Sequence, residues 1–167
     1  MIEGWLIIDG YSLLYRDRRP FASDRPTAAE RTSLLRRLER IVGHAVTRIT
    51  VVFDGRSEGG PDASYVGPIE VIYSPSSMTA DSVIERMVHA HLGAGGRLVT
   101  VVTSDRRERE TVEATGARTI SCGDFLDWFR QEERRYAAPC RAPAPAWKPT
   151  IGDRFPSTPE AEGSPQP

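Results

Sequence analysis

Two short apolar runs constrain this chain more than any other feature, because both end in the same dipeptide. Trp5-Leu6-Ile7-Ile8 closes in Asp9-Gly10, and Ile49-Thr50-Val51-Val52-Phe53 closes in Asp54-Gly55. A continuous apolar run bounded by a turn signal reads as a strand buried on both faces, the kind found in parallel sheets. In open α/β sheets ligands bind beyond the carboxyl ends of the strands, and both aspartates stand at such ends. Gly10 lets the backbone leave at an unusual angle, or lets another group approach closely. Asp9 is read as a metal-site carboxylate; the competing reading is that it starts a turn or caps the segment after it. Asp54-Gly55 also has the form of a hairpin turn. Arg56–Gly67 is too long and glycine-rich for a two-residue hairpin, however, and reads as a mobile loop.

The rest of the chain alternates strand and helix patterns. Tyr15–Arg25 reads as a polar connection rich in arginine. Pro26 then precedes Thr27-Ala28-Ala29-Glu30, which has capping-box spacing. Leu34, Leu35, Leu38, Ile41 and Val42 follow at helical spacing, predicting an amphipathic helix that ends near Gly43. Ile69–Tyr73 reads as a third strand. A helix with Val83, Ile84, Met87, Val88 and Leu92 on one face follows, stopped by Gly93–Gly96. Leu98–Val102 is a fourth strand, Arg106–Thr115 a short polar helix and Arg118–Ile120 a last short strand. The closing helix packs through Phe125, Leu126, Trp128 and Phe129. Such alternation implies βαβ units and a mainly parallel sheet, an α/β fold. With right-handed crossovers all strand C-termini share one edge. Asp9, Asp54 and Asp105 would meet there, with Asp81 near the start of the third-strand helix.

Composition sets the frame. The chain has 167 residues, 39% of them apolar and 27% charged, which suits one soluble domain with a real core. Residues 1–136 are expected to form that domain. Residues 137–167 hold eight of the thirteen prolines and little apolar pattern, so an extended, largely disordered tail is expected, with Trp147 and Phe155 as aromatic exceptions. No run approaches the roughly 20 apolar residues of a membrane span. Glu3 precedes the first apolar run with no basic region before it, so the expected location is the cytoplasm, with no membrane partner. Cys122 and Cys140 have no metal-ligand spacing and are read as reduced and incidental. The net charge of -1 argues against a free-standing nucleic-acid binder with a broad basic face.

Several carboxylates converging without lysines is electrostatically costly, and protonation or a divalent cation relieves it. Hard oxygen ligands suit magnesium and manganese. Each acid also has an ordinary reading. Asp81 in the first turn of a helix complements the helix dipole. Asp105 with Glu108 has capping-box spacing and could simply start a helix.

The set DGYS (Asp9–Ser12), VVFDG (Val51–Gly55), TADSVIER (Thr79–Arg86) and VVTSD (Val101–Asp105) resembles the YacP-like branch of the NYN domains, PIN-like predicted ribonucleases. The resemblance covers roughly residues 5–130, in order. It implies a three-layer α/β/α PIN-like fold and an acidic site that binds Mg2+ or Mn2+ and cleaves RNA. On it, Asp9, Asp81 and Asp105 carry over as metal ligands, Asp54 as a catalytic acid beside them, and Ser104 as a site-lining hydroxyl. One position departs. The family pattern has asparagine fourth in DGYN, and this chain has Ser12, which offers an oxygen and a donor but no amide. Glu85, one turn after Asp81, is read as an outer acid of the same site or as a solvated carboxylate. Arg16, Arg56 and Arg106, with Arg18, Arg19, Arg25 and Arg107, fall in segments leaving the same edge and are read as gripping phosphates or, singly, as an ordinary charged surface. Tyr11 is expected either to stack on a base or to pack.

The leading expectation is therefore an endoribonuclease acting on RNA, naked or within a larger ribonucleoprotein complex. The competing reading is a catalytically weak RNA- or ribonucleoprotein-binding module that keeps the fold, which Ser12 and the missing positive charge favour. An aspartate-nucleophile phosphotransferase would need a DxD pair and a lysine in the site. Both are absent, as are GxGxxG and GK[ST] after a strand.

Overall fold

In a computed structural model of the chain, the described residues are 2, 4–17, 26–57, 62–96 and 98–137. The elements in order are β1 (Trp5–Asp9), α1 (Gly10–Asp17), α2 (Ala28–Glu39), β2 (Arg48–Ser57), β3 (Asp62–Val66) and β4 (Ile69–Pro75). They continue with α3 (Ala80–Gly93), β5 (Val99–Val102), α4 (Arg106–Ala114), β6 (Arg118–Ile120) and α5 (Cys122–Ala137). The strands form one sheet in the order β3-β4-β2-β1-β5-β6. All neighbours run parallel except β3 and β4.

Because side chains alternate along a strand, β1 supplies both faces of the sheet. Leu6 and Ile8 join Leu13, Leu34, Leu38, Phe125 and Phe129 on one side, under α1, α2 and α5. Trp5 and Ile7 join Val83, Ile84, Val88 and Val112 on the other, under α3 and α4. The result is the expected three-layer α/β/α arrangement. No helix among the described residues is long and apolar enough to cross a membrane. The tail beyond residue 137 lies outside the described residues.

β1 pairs with β2 on one side and β5 on the other, so the chain reverses its direction of travel across the sheet at β1. Crevices open at such switch points, outside the strand C-termini. Asp9 ends β1 and stands in that place.

Two elements depart from the sequence reading. Residues 10–17 form a helix, which takes in the first three residues of the connection expected at Tyr15–Arg25. Asp9 Oδ1 accepts the backbone N–H groups of Tyr11 and Ser12, both at 3.1 Å, while Leu13 and Leu14 are buried. At the far end of α1, Asp17 receives Arg37 at 2.6 Å and Arg130 at 3.0 Å, tying α1 to α2 and α5. The second departure falls within the expected loop at 56–67, of which residues 58–61 lie outside the described residues. β2 runs on to Ser57, with its register broken between Phe53 and Ser57, and β3 forms a hairpin with β4. The hairpin turns at Gly67-Pro68; Gly67 has φ 56°, the positive value a primed turn requires at its first central position. The capping box at α2 forms as read, with Thr27 and Glu30 bonding reciprocally to each other's backbone N–H.

Gly10 serves close approach rather than unusual backbone, since its φ is not positive. A Cβ added there would lie 2.3 Å from Phe53 Cε1. Phe53 is fully buried, with Tyr11 and Tyr73 on its ring at 5.3 and 5.8 Å, so it has little room to yield. Gly10→Ala is expected to lower stability by about 1–3 kcal/mol. That exceeds the gain of up to about 1 kcal/mol from helix propensity. Urea denaturation checks it; a variant as stable as the parent would show that Phe53 can shift.

Candidate metal centre at the carboxyl edge of the sheet

Three acids from three elements meet at this edge. Asp9 comes from the end of β1, Asp81 from the first turn of α3 and Glu108 from the first turn of α4. One carboxylate oxygen from each lies within 4.8 Å of the others. Local structure fixes each one. Asp9 is held by the α1 backbone, and the nearby Ser12 hydroxyl favours its charged form. Asp81 is placed by Thr79, which caps α3 by accepting the Ser82 N–H, and by Asp54, whose Oδ1 accepts the Ala80 N–H at 2.7 Å. Asp54 Oδ1 also accepts from the Ser74 hydroxyl. Asp54 therefore locks the start of α3 against β2.

Glu108 is 3% exposed, and neither carboxylate oxygen has a hydrogen-bond partner. Burial pushes its pKa up to about 8, and the charges of Asp81, Asp9 and Asp105 push the same way. The Thr103 hydroxyl offsets part of that rise but completes no well-directed hydrogen bond. Burial likewise raises Asp9, against the pull of its bonds to Ser12 and Tyr11 and with a push from Asp54. Asp81 is raised by burial, then by Asp9, Asp105, Asp54 and Glu85. Metal-free, all three acids release their protons at higher pH than an exposed carboxyl would.

A family model for the YacP-like NYN domain matches residues 6–156. The chain belongs to the YacP-like NYN domain family. It is similar to the crystal structure of Rae1 (YacP) from Bacillus subtilis, at 25% identity and a TM-score of 0.61 over 79% of this chain and 76% of that one. The crystal structure of a tryptophan-to-leucine mutant of that protein matches at 25% identity and a TM-score of 0.63, over 78% of this chain and 77% of that one. No curated protein matches the chain.

In this NYN domain the acid grouping differs from the sequence reading at one position. Asp105, expected as a ligand, is exposed and caps α4, its Oδ1 accepting the N–H groups of Arg107 and Glu108. Its charge reaches Asp81 and Glu108 without joining the cluster. Glu108 takes the inward place. The capping box suggested by their spacing is only half formed, because the Asp105 N–H goes to Thr103 Oγ1 and leaves the Glu108 carboxylate free to turn toward the sheet edge.

The remaining expected residues fall around the NYN acid cluster in different ways. Glu85 is half-buried and its charge acts on Asp81. Ser104 is exposed, and its hydroxyl offsets part of the rise by which burial pushes the Cys122 thiol up to about 11. Arg16 and Arg106 are exposed, in the last turn of α1 and at the start of α4. Tyr11 is half-buried against Phe53. The Arg56 side chain and residues Arg18, Arg19 and Arg25 lie outside the described residues.

The donor set fits a divalent cation. It is all hard oxygen, and a buried carboxylate with two unpartnered oxygens needs a proton or a cation to be tolerated. The NYN domain can hold such an ion between Asp9, Asp81 and Glu108.

Proposed function

We propose that this NYN domain is a divalent-metal-dependent endoribonuclease, with Asp9, Asp81 and Glu108 holding Mg2+ or Mn2+. The observation that carries this reading is Glu108, buried and unpartnered beside two further acids. When bound, such an ion activates a water and stabilises the attacking and leaving oxygens of a phosphodiester. The chain's own contribution is position. The α1 backbone fixes one oxygen of Asp9 through the Tyr11 and Ser12 N–H groups, a contact that does not need the amide of the family asparagine. Asp54 and Asp105 act as neighbouring acids that set the α3 and α4 termini. Arg16 and Arg106 contact phosphates on either side, as point contacts on a chain of net charge -1. Affinity from so few contacts favours RNA presented in a defined shape or within a ribonucleoprotein complex, in the cytoplasm.

Thermal melting and RNA cleavage test this together. Mn2+ or Mg2+ is expected to raise Tm, by the equivalent of about 2.7 kcal/mol at a hundred times its Kd. The same ions should switch on cleavage of a labelled single-stranded RNA. Cleavage that survives EDTA, or ions that leave both readouts unmoved, would overturn the reading.

A further inference from the structure

The face of α4 turned away from the core borders a cavity of about 420 Å³, lined by Arg106, Arg109, Glu110 and Glu113. Its size falls within the roughly 300–1,000 Å³ of ligand sites. The four residues stand at i, i+3, i+4 and i+7, so they share one side of the helix. Glu108 and Val112 are buried on the other. α4 thus turns an acid toward the metal centre and two arginines toward a cavity alongside it. Arg106 opens the helix directly after β5 and Asp105, so the arginine end of the cavity lies at the carboxyl edge of the sheet. A helix rises about 1.5 Å per residue, which leaves Arg109 about that far from Glu108 along the axis.

Arg106 with Glu110, and Arg109 with Glu113, have the i, i+4 spacing of helix ion pairs. Among the described residues neither pair forms. An arginine four residues before a glutamate is the weaker orientation of such a pair. Glu113 is drawn off to β6, where its carboxylate accepts the Thr119 hydroxyl. Arg109 is half-buried, and its Nε is fully buried without a hydrogen-bond partner. Only the two Nη groups of its guanidinium are left to face the cavity. A partly buried guanidinium without a counter-ion is costly, and an anion in the adjoining cavity relieves that cost.

We propose that this cavity holds one backbone phosphate of the RNA, beside the scissile one, between Arg106 and the Nη groups of Arg109. The inference rests on the nuclease reading and extends it to the path of the strand, which leaves the acid cluster over the first two turns of α4. Arg106 then acts together with Arg109. Glu113 stands about 10 Å along the axis from Arg106, so its charge closes the far end of the cavity to phosphate. Two guanidinium groups on a single phosphate suit a chain of net charge -1, which lacks a broad basic surface.

The test uses the full chain carrying Asp81→Asn, to prevent cleavage, and a fluorescein-labelled single-stranded RNA octamer in Mn2+. Arg109→Met keeps the aliphatic stem and removes the guanidinium. It is expected to weaken binding about tenfold, the worth of one charge-assisted hydrogen bond, and to reduce the salt slope by about 0.7. Tm without RNA should hold, because the Nε–H that is lost had no partner. Glu110→Gln should tighten binding, since it removes an acid from the cavity. Uncharged methylphosphonates placed singly along the octamer should reveal one position at which the parent loses affinity and Arg109→Met loses little more. Arg109→Met binding like the parent would overturn the site, as would a methylphosphonate scan to which both proteins respond alike. A fall in Tm that accounts for the weaker binding would also overturn it, by making Arg109 a packing residue. The nuclease reading would still stand if the unmodified chain cleaves RNA with Mn2+ and Asp9→Asn does not. An unmodified chain that neither binds nor cleaves RNA would overturn both.

Discussion

Glu108→Gln is expected to abolish divalent-dependent RNA cleavage and, at pH 8 in EDTA, to make the chain more stable. The two effects have one cause. In the metal-free fold Glu108 is buried, has no hydrogen-bond partner and faces Asp81 and Asp9. Its pKa stands at about 8, against 4.5 when exposed. Between those values the unfolded chain has released a proton that the native chain retains. The native state therefore binds more protons, and stability falls as pH rises. The penalty is absent below pH 4.5 and complete above about 8. At roughly 1.4 kcal/mol per unit it amounts to a few kcal/mol. Glutamine removes the charge but leaves a buried amide, which costs about 1–3 kcal/mol if unpaired, so the net gain is smaller. Activity moves the other way, because the amide supplies no charge to a hard cation. Cleavage should fall by at least about a hundredfold, equivalent to about 2.7 kcal/mol of barrier. Urea titrations in EDTA at pH 5 and pH 8 check the stability half. The parent should lose stability between them, and the variant should lose much less. Equal losses would mean that Glu108 does not carry the buried charge.

That Glu108 is the third acid was only partly legible in the sequence. Asp9 and Asp81 stood out because their places follow from strand and helix periodicity. Asp105 and Glu108 form one pattern, D-x-x-E, in which either acid can serve the helix end and either can face inward. The choice depends on where the Asp105 N–H goes. It goes to Thr103, an ST turn that competes with the capping box, and spacing alone does not decide between the two. The strands buried on both faces were legible because burial leaves no polar alternation to misread. β3 was not, since Asp62–Val66 carries little apolar pattern and is held by its pairing with β4. Gly67-Pro68 was its one local signal. α1 was hidden for a related reason. Its eight residues bury Gly10, Leu13 and Leu14 alone, and its start depends on Asp9 as a cap. The two readings offered for Asp9, cap and site carboxylate, are therefore compatible: one oxygen accepts the helix N–H groups while the carboxylate also faces Asp81 and Glu108.

This double use of Asp9 makes two substitutions there separable. Asparagine keeps a side-chain oxygen that can accept the Tyr11 and Ser12 N–H groups, so α1 should stay capped. Its amide can turn toward the Glu108 and Asp81 carboxylates as a donor, giving the buried acids a neutral partner. Asp9 has a raised pKa from burial and from Asp54, so losing its charge should not weaken the metal-free fold near neutral pH. Tm in EDTA is therefore expected to hold or rise slightly for Asp9→Asn. Cleavage should drop by about a hundredfold or more, and the Mn2+-induced rise in Tm should disappear with it. Alanine loses the charge and the cap together, so Asp9→Ala should lose the same activity and about 1 kcal/mol of stability besides. Melting curves with and without Mn2+, run beside the cleavage assay on both variants, separate the roles. Cleavage by Asp9→Asn at the parent rate would remove Asp9 from the mechanism and leave it as a helix cap alone.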